Sequence, residues 1–215
     1  TTVGTALAYT TVDKTDIVVM PRELREEEVA LYEGITATKL CVEALAIVAG
    51  SDCPLDDISL EQLQAIFNGD VTDWDDYGGS GEIAAYAMDR SASSGDAFQT
   101  LVLGRSETGE QNAIDDSVSV LLDTAEAMGQ KIAETPLAIG FMPLALAKDY
   151  DVKTLKVAGV AAGEAAAKAG TYPVARSFYM VTIGEAAGGI KDFVGYCTGS
   201  DEARAFLEDM GYLLP

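Results

Sequence analysis

Apolar residues in this chain follow two spacings that alternate along its length. Short apolar-rich runs at residues 15–19, 42–48, 139–142, 154–157 and 178–183 have the length and β-branched content of buried strands. Between them the pattern turns helical. An amphipathic helix is expected over 23–32, with acids gathered at Glu26, Glu27 and Glu28. Ser59 and Gln62 form a capping-box pair for a helix running to Phe67, and Gly69 stops it. Further helices are expected over 96–103, over 116–128 with Val120, Leu121 and Ala125 on one face, and over the Ala-rich stretch 161–169. Alternating strands and helices place the chain in the α/β class. No run reaches the roughly 20 apolar residues of a membrane span, so 43–50 reads as a buried strand.

One segment breaks the pattern with chemistry. Met88-Asp89-Arg90-Ser91-Ala92-Ser93-Ser94-Gly95-Asp96-Ala97-Phe98 packs an arginine, three serines and a glycine onto the expected start of a helix. The first N–H groups of a helix lack internal partners and carry the positive end of its dipole, so an oxyanion placed there collects several hydrogen bonds. Ser93 and Ser94 add hydroxyls, Gly95 permits close backbone approach, and Arg90 offers a forked guanidinium matched to two oxygens. Taken alone, the same residues also read as an N-cap serine pair beside a surface arginine.

Composition narrows the partners. Thirty-five acidic and fourteen basic residues, without any histidine, give a net charge of −21. Such a field repels nucleic acid and anionic lipid, and an anion site must then draw its positive potential from Arg90 and helix ends. Cys41, Cys53 and Cys197 are too few for a disulfide framework, and without histidine neither a metal cluster nor another cofactor is expected. An oxidising compartment would allow a Cys41–Cys53 bridge, and burial as small hydrophobes is the other reading. A hydrolase using Ser94 as nucleophile lacks support: the chain has no histidine base and no Gly-x-Ser-x-Gly elbow.

Six ordered stretches carry a resemblance. The helix ending Ile66-Phe67-Asn68-Gly69, followed by Trp74 and Gly78-Gly79, precedes the Arg90 turn. Ala138-Ile139-Gly140-Phe141, Leu155 to Val160, and Tyr172-Pro173-Val174-Ala175-Arg176 with Tyr179 follow in order, while Asp16 to Leu24 and the run from Phe193 to Tyr212 occupy the two ends. Together they resemble the phosphate-binding proteins of ABC importers. That resemblance implies a two-lobed, type 2 periplasmic-binding-protein-like fold, with residues 1–47 and 172–215 in lobe one, 48–171 in lobe two and a ligand cleft between them. It implies a receptor rather than an enzyme: an extracytoplasmic protein, periplasmic or lipid-anchored, that delivers inorganic phosphate to permease subunits. The sequence opens without Met or a leader, so a signal segment is expected to have been removed or to lie outside it. A surface or regulatory member without phosphate binding, or a receptor for sulfate or molybdate, are the alternatives.

The chain departs from the family at three places. The N-terminal strand and helix have no counterpart, which implies weaker binding and an open edge near Ile17 and Val19 that a second chain or a second copy would cover. Gly4-Thr5 stands where the family has a hydroxyl-bearing loop, making Thr5 the lobe-one candidate contact, with a helix N-terminal threonine as the other reading; Met20-Pro21 loses a further contact. The family's Ser-Gly-Thr becomes Ser94-Gly95-Asp96. A carboxylate at Asp96 accepts a hydrogen bond from a P–OH, which favours phosphate over sulfate, or it serves only as a first-turn acid. The expected ligand set is thus Thr5, Arg90, Ser93, Ser94, Gly95 and Asp96.

Overall fold

The computed structural model describes residues 16–104, 112–115, 117, 119–184 and 186–215. Its elements begin with β1 (Val18–Met20), α1 (Glu26–Leu31), β2 (Ile35–Ala49), β3 (Asp57–Ile58), α2 (Leu60–Phe67) and a 3-10 turn (Trp74–Tyr77). Next come β4 (Ala84–Met88), α3 (Ser93–Phe98) with a π-helical extension (Gln99–Leu103), β5 (Ser119–Leu122), α4 (Ala125–Glu134), β6 (Ala138–Pro143) and α5 (Leu144–Ala147). The last are β7 (Lys153–Thr154), β8 (Lys156–Val157), α6 (Glu164–Lys168), β9 (Ala175–Ile183), α7 (Gly188–Gly199) and α8 (Asp201–Asp209). The chain divides into two compact units, Thr1–Glu43 with Arg176–Pro215, and Ala44–Ala175.

The first unit holds β1, most of β9 and the first part of β2, side by side in that order. β1 and β9 run antiparallel, with Val18 opposite Val181 and Met20 opposite Tyr179. These four residues are buried on one face, with Leu24, Tyr32 and Ile35 packed against them. α1 draws on its acids: Glu28 accepts the Arg25 N–H at 2.8 Å and takes both arms of the Arg22 guanidinium at 2.7 and 2.9 Å. Where β2 becomes fully buried it still carries a charge, Glu43, whose Oε2 receives the Arg176 Nε–H at 2.7 Å. The Arg176 guanidinium also lies 5.2 Å from the centre of the Phe178 ring.

The second unit is a layered α/β domain. The C-terminal part of β2 pairs antiparallel with β6, β6 parallel with β4, and β4 parallel with β5. Its core includes Leu45, Ile47, Phe67, Trp74, Phe98 and Phe141. α2 begins as the sequence predicts: Ser59 Oγ accepts the Gln62 N–H at 3.2 Å and Gln62 Oε1 accepts the Ser59 N–H at 2.9 Å. Trp74, fully buried, donates its indole N–H to the Leu137 carbonyl at 3.0 Å.

Several expectations need correction. The helix expected over 116–128 is instead strand β5, followed by α4, which starts only at Ala125. Val120 and Leu121 are 57% and 40% exposed on an outer strand, so their apolar character marks β propensity and not a helix face. The real start signal is Thr124, whose hydroxyl accepts the Ala127 N–H at 3.1 Å. The strand expected over 154–157 splits at Leu155, because its N–H turns to the Ile47 carbonyl at 2.9 Å; β7 then pairs with β2 and β8 with β3. The run from Phe193 to Tyr212, which resembles the family's closing helix, holds two helices divided at Ser200, which caps α8 by accepting the Ala203 N–H at 3.1 Å. Cys41 and Cys53 are both buried and free, so no bridge joins them, and burial pushes the Cys41 thiol up to about 12.

Two effects on stability are expected. Arg176→Met strips the buried Glu43 carboxylate of its cation and should lower the unfolding free energy by about 3–5 kcal/mol, most of it recovered in the Glu43→Leu/Arg176→Met double variant. Urea titration of the three proteins checks this, and a stable single variant would show the pair to be dispensable. The second concerns acid. Hydrogen bonds from Arg22 hold the Glu28 carboxyl down at about 2. A depressed carboxyl stabilises the fold above its unfolded pKa of about 4.3 and loses that contribution as pH falls toward the folded value. Glu28→Gln should therefore cost about 1 kcal/mol at pH 7, the pair being partly solvated, and nothing near pH 2. Thermal midpoints that differ equally at both pH values would contradict it.

Candidate functional site

The Arg90 segment folds as a strand, a tight turn and a helix. β4 ends at Met88, and Asp89 organises the turn: its Oδ1 accepts the Ser91 N–H at 2.8 Å and its carbonyl accepts the Ala92 N–H at 3.0 Å. Hydrogen bonds from the Ser91 hydroxyl and N–H hold the Asp89 carboxyl below the usual carboxylate range. Ala92 is the N-cap of α3, so the serines are the first two helical residues rather than a capping pair. The first intrahelical rung runs from the Asp96 N–H to the Ala92 carbonyl at 3.0 Å. The N–H groups of Ser93, Ser94 and Gly95 thus precede the ladder and form the positive end of the helix.

Packing fixes this turn from behind. Ser94 and Gly95 are buried, and a Cβ on Gly95 would sit 2.1 Å from the Asp89 carbonyl oxygen and 2.6 Å from that of Met88. Glycine is therefore required for the helix to rest on the backbone leaving β4, a reason different from the ligand approach read from the sequence. One turn on, Phe98 stacks on Phe141 with ring centres 4.0 Å apart and meets the edge of Phe67 at 4.7 Å. The helix then widens into the π turn, closed by the Gly104 N–H donating to the Gln99 carbonyl at 2.9 Å, with Gly104 at φ 65°.

On the open side, Arg90 projects with 58% of its side chain exposed, its Nε 4.0 Å from Asp96 Oδ1. Arg90, Asp89 and Gln99 line a cavity of about 210 Å³ whose apolar wall includes Met88, Ile114 and Leu121. The structure thus gathers Arg90, Ser93, Ser94, Gly95 and Asp96 within a single turn. Thr5 lies outside the described residues. Asp89 and Gln99 are the polar groups the sequence reading missed. Asp89 had a signal in its Asx-turn spacing to Ser91; Gln99 had only its polarity within the run Ala97 to Leu103. The turn can present hydrogen-bond donors and one cation to an oxyanion, and Asp96 can accept a proton-bearing oxygen. Among the described residues no histidine, cysteine or carboxylate cluster is placed to hold a metal ion, and no described helix is long and apolar enough to cross a membrane.

Comparison with known proteins places the chain among relatives. A phosphate-binding protein PstS of Bacillus subtilis (strain 168) is 29% identical over 188 residues, covering 84% of this chain and 60% of the relative. The chain therefore spans about 60% of that relative's length. Its fold is similar to an ABC-type phosphate transport receptor from Vibrio cholerae, with TM-score 0.76, 21% identity, and coverage of 99% of this chain and 85% of the other. It is likewise similar to PstS from Borrelia burgdorferi, with TM-score 0.77, 21% identity, and coverage of 98% and 83%. The family model for a PBP superfamily domain matches residues 1–202, and the chain belongs to that superfamily.

Proposed function

We propose that this chain binds inorganic phosphate outside the cytoplasm and delivers it to the permease subunits of an ABC importer. The observation that carries this reading is the turn from Arg90 to Asp96, where one guanidinium and the donor end of a helix stand together on a chain with net charge −21. In a protein so acidic, such a local concentration of donors gives an anion a reason to bind. The names of the B. subtilis and V. cholerae proteins support the choice of phosphate.

In this reading the phosphate oxygens accept from the N–H groups of Ser93, Ser94 and Gly95, from the hydroxyls of Ser93 and Ser94, and from the Arg90 fork. Asp96 turns away from its long 4.0 Å approach to Arg90 and accepts the hydrogen of a P–OH. Phosphate near neutral pH carries one or two protons and satisfies that carboxylate, whereas sulfate carries none and meets a bare negative charge. Binding proceeds without bond-making; incubation with a chromogenic phosphate ester should release no product.

Titration calorimetry with phosphate, sulfate and molybdate tests the proposal. Arg90→Ala removes a charge-assisted contact of about 1.5–3 kcal/mol and should weaken phosphate binding at least about tenfold. Unchanged affinity would place the site elsewhere, and no heat from any of the three anions would favour a surface protein without this ligand. Asp96→Asn should cut the preference for phosphate over sulfate by about tenfold, since the amide can donate to either anion. An unaltered preference would return Asp96 to the role of a plain first-turn acid.

A further inference from the structure

A cavity adjoins the Arg90 turn and is larger than the turn's own chemistry requires. Arg90 belongs to both: its Nε lies 4.0 Å from Asp96 Oδ1, and it lines the cavity of about 210 Å³. Gln99, only 6% exposed, lines the same cavity. It follows Asp96 by three residues, so the two stand on one face of the helix, a turn apart. The rest of the wall includes Met88 and Ile114, both buried, and Leu121, which is left partly exposed. From the start of α3 the surface therefore passes from donors and a guanidinium, past a carboxylate, to an amide and a hydrocarbon wall. Pockets for drug-sized molecules begin near about 300 Å³, so a cavity of about 210 Å³ suits a chain of a few carbons. Inorganic phosphate, held at the first turn of the helix, makes no use of the amide or the apolar wall.

Resting on the reading of the Arg90 turn as an anion site, we propose that the same site also takes phosphate monoesters of small polyols, with glycerol phosphate as the type. The phosphoryl group sits at the turn and the hydroxylated carbon chain lies in the adjoining cavity. Its carbons rest on Met88, Ile114 and Leu121, and a hydroxyl meets the Gln99 amide, which can both donate and accept. Asp96 then selects for the hydroxylated chain. A phosphate monoester loses its second proton near pH 6, so at neutral pH it brings little P–OH for a carboxylate to accept. A hydroxyl on the carbon chain supplies that hydrogen instead. An ester without one, such as methyl phosphate, sets a dianion beside the carboxylate with no hydrogen between them.

Titration calorimetry on the ligand-free chain near neutral pH, with inorganic phosphate, glycerol 3-phosphate and methyl phosphate, tests this. The two esters carry the same phosphoryl charge and differ in their hydroxyls. Glycerol 3-phosphate should bind at least about tenfold more tightly than methyl phosphate and compete with inorganic phosphate, because a site built around a hydroxyl penalises the analogue that lacks it. Ala113 also lines the cavity, at an exposed position. Ala113→Trp puts an indole into the space for the carbon chain, and should weaken glycerol 3-phosphate at least about tenfold while leaving inorganic phosphate within about twofold and the circular dichroism spectrum unchanged. The comparison of esters uses only the unaltered chain, so it decides even where the tryptophan disturbs the fold. Inorganic phosphate that binds while glycerol 3-phosphate is no tighter than methyl phosphate overturns the proposal and leaves the anion reading standing. Glycerol 3-phosphate affinity that survives a folded Ala113→Trp overturns it as well. Binding of none of the three overturns the anion reading, and the ester proposal falls with it.

Discussion

A strand buried from Cys41 to Ala49 must find a partner for every backbone N–H and C=O it takes out of water, and much of this structure is the consequence. β6 supplies partners from Leu45 to Ala49, and Leu213 exchanges both hydrogen bonds with Val42 at 2.8 Å. The Leu45 N–H donates to the Val174 carbonyl at 2.9 Å, and the Leu45 carbonyl accepts from the Tyr172 hydroxyl at 2.9 Å. Even the break between β7 and β8 exists so that the Leu155 N–H can reach Ile47. Segments far apart in sequence are thus drawn to one strand. The single charge in its buried stretch, Glu43, is tolerated because Arg176 arrives with a guanidinium.

The Arg90 turn inherits its geometry from that same sheet. β4 pairs with β6, which pairs with β2, and the backbone leaving β4 then passes so close beneath α3 that only a glycine fits at 95. Phe98, clamped between Phe67 and Phe141, sets the direction of the helix from its other end. The donor groups at the start of α3 are therefore held by main-chain contact and ring stacking, without relying on a ligand to order them. For the proposed anion binding this matters because donors held in place beforehand would lose little conformational freedom on meeting the ligand.

The features legible in the sequence were local. The α2 capping box, the apolar strand at 42–48 and the serine-rich turn each declare themselves within a few residues, because their causes are neighbours in the chain. The misreadings came where the cause is distant. Val120 and Leu121 fit a helix face until β4 claims them as a parallel strand. Gly95 suggests a ligand until the Asp89 carbonyl is seen above it. The Glu43–Arg176 pair joins residues 133 positions apart, and neither flank marks them as partners. The division of the run from Phe193 to Tyr212 into two helices also went unread, because Ser200 declares itself a cap only once the backbone around it is extended.

Trp74 is the chain's one tryptophan, fully buried in the second unit with its indole hydrogen bonded to Leu137. Intrinsic fluorescence of this protein is consequently a one-sided signal. It follows the melting of the second unit's core and is blind to the first, whose aromatic residues are tyrosines and phenylalanines. Far-ultraviolet dichroism weighs both units. A mismatch between the two transitions would thus be a direct reading of how independently the halves of this chain unfold, obtained without placing a single label.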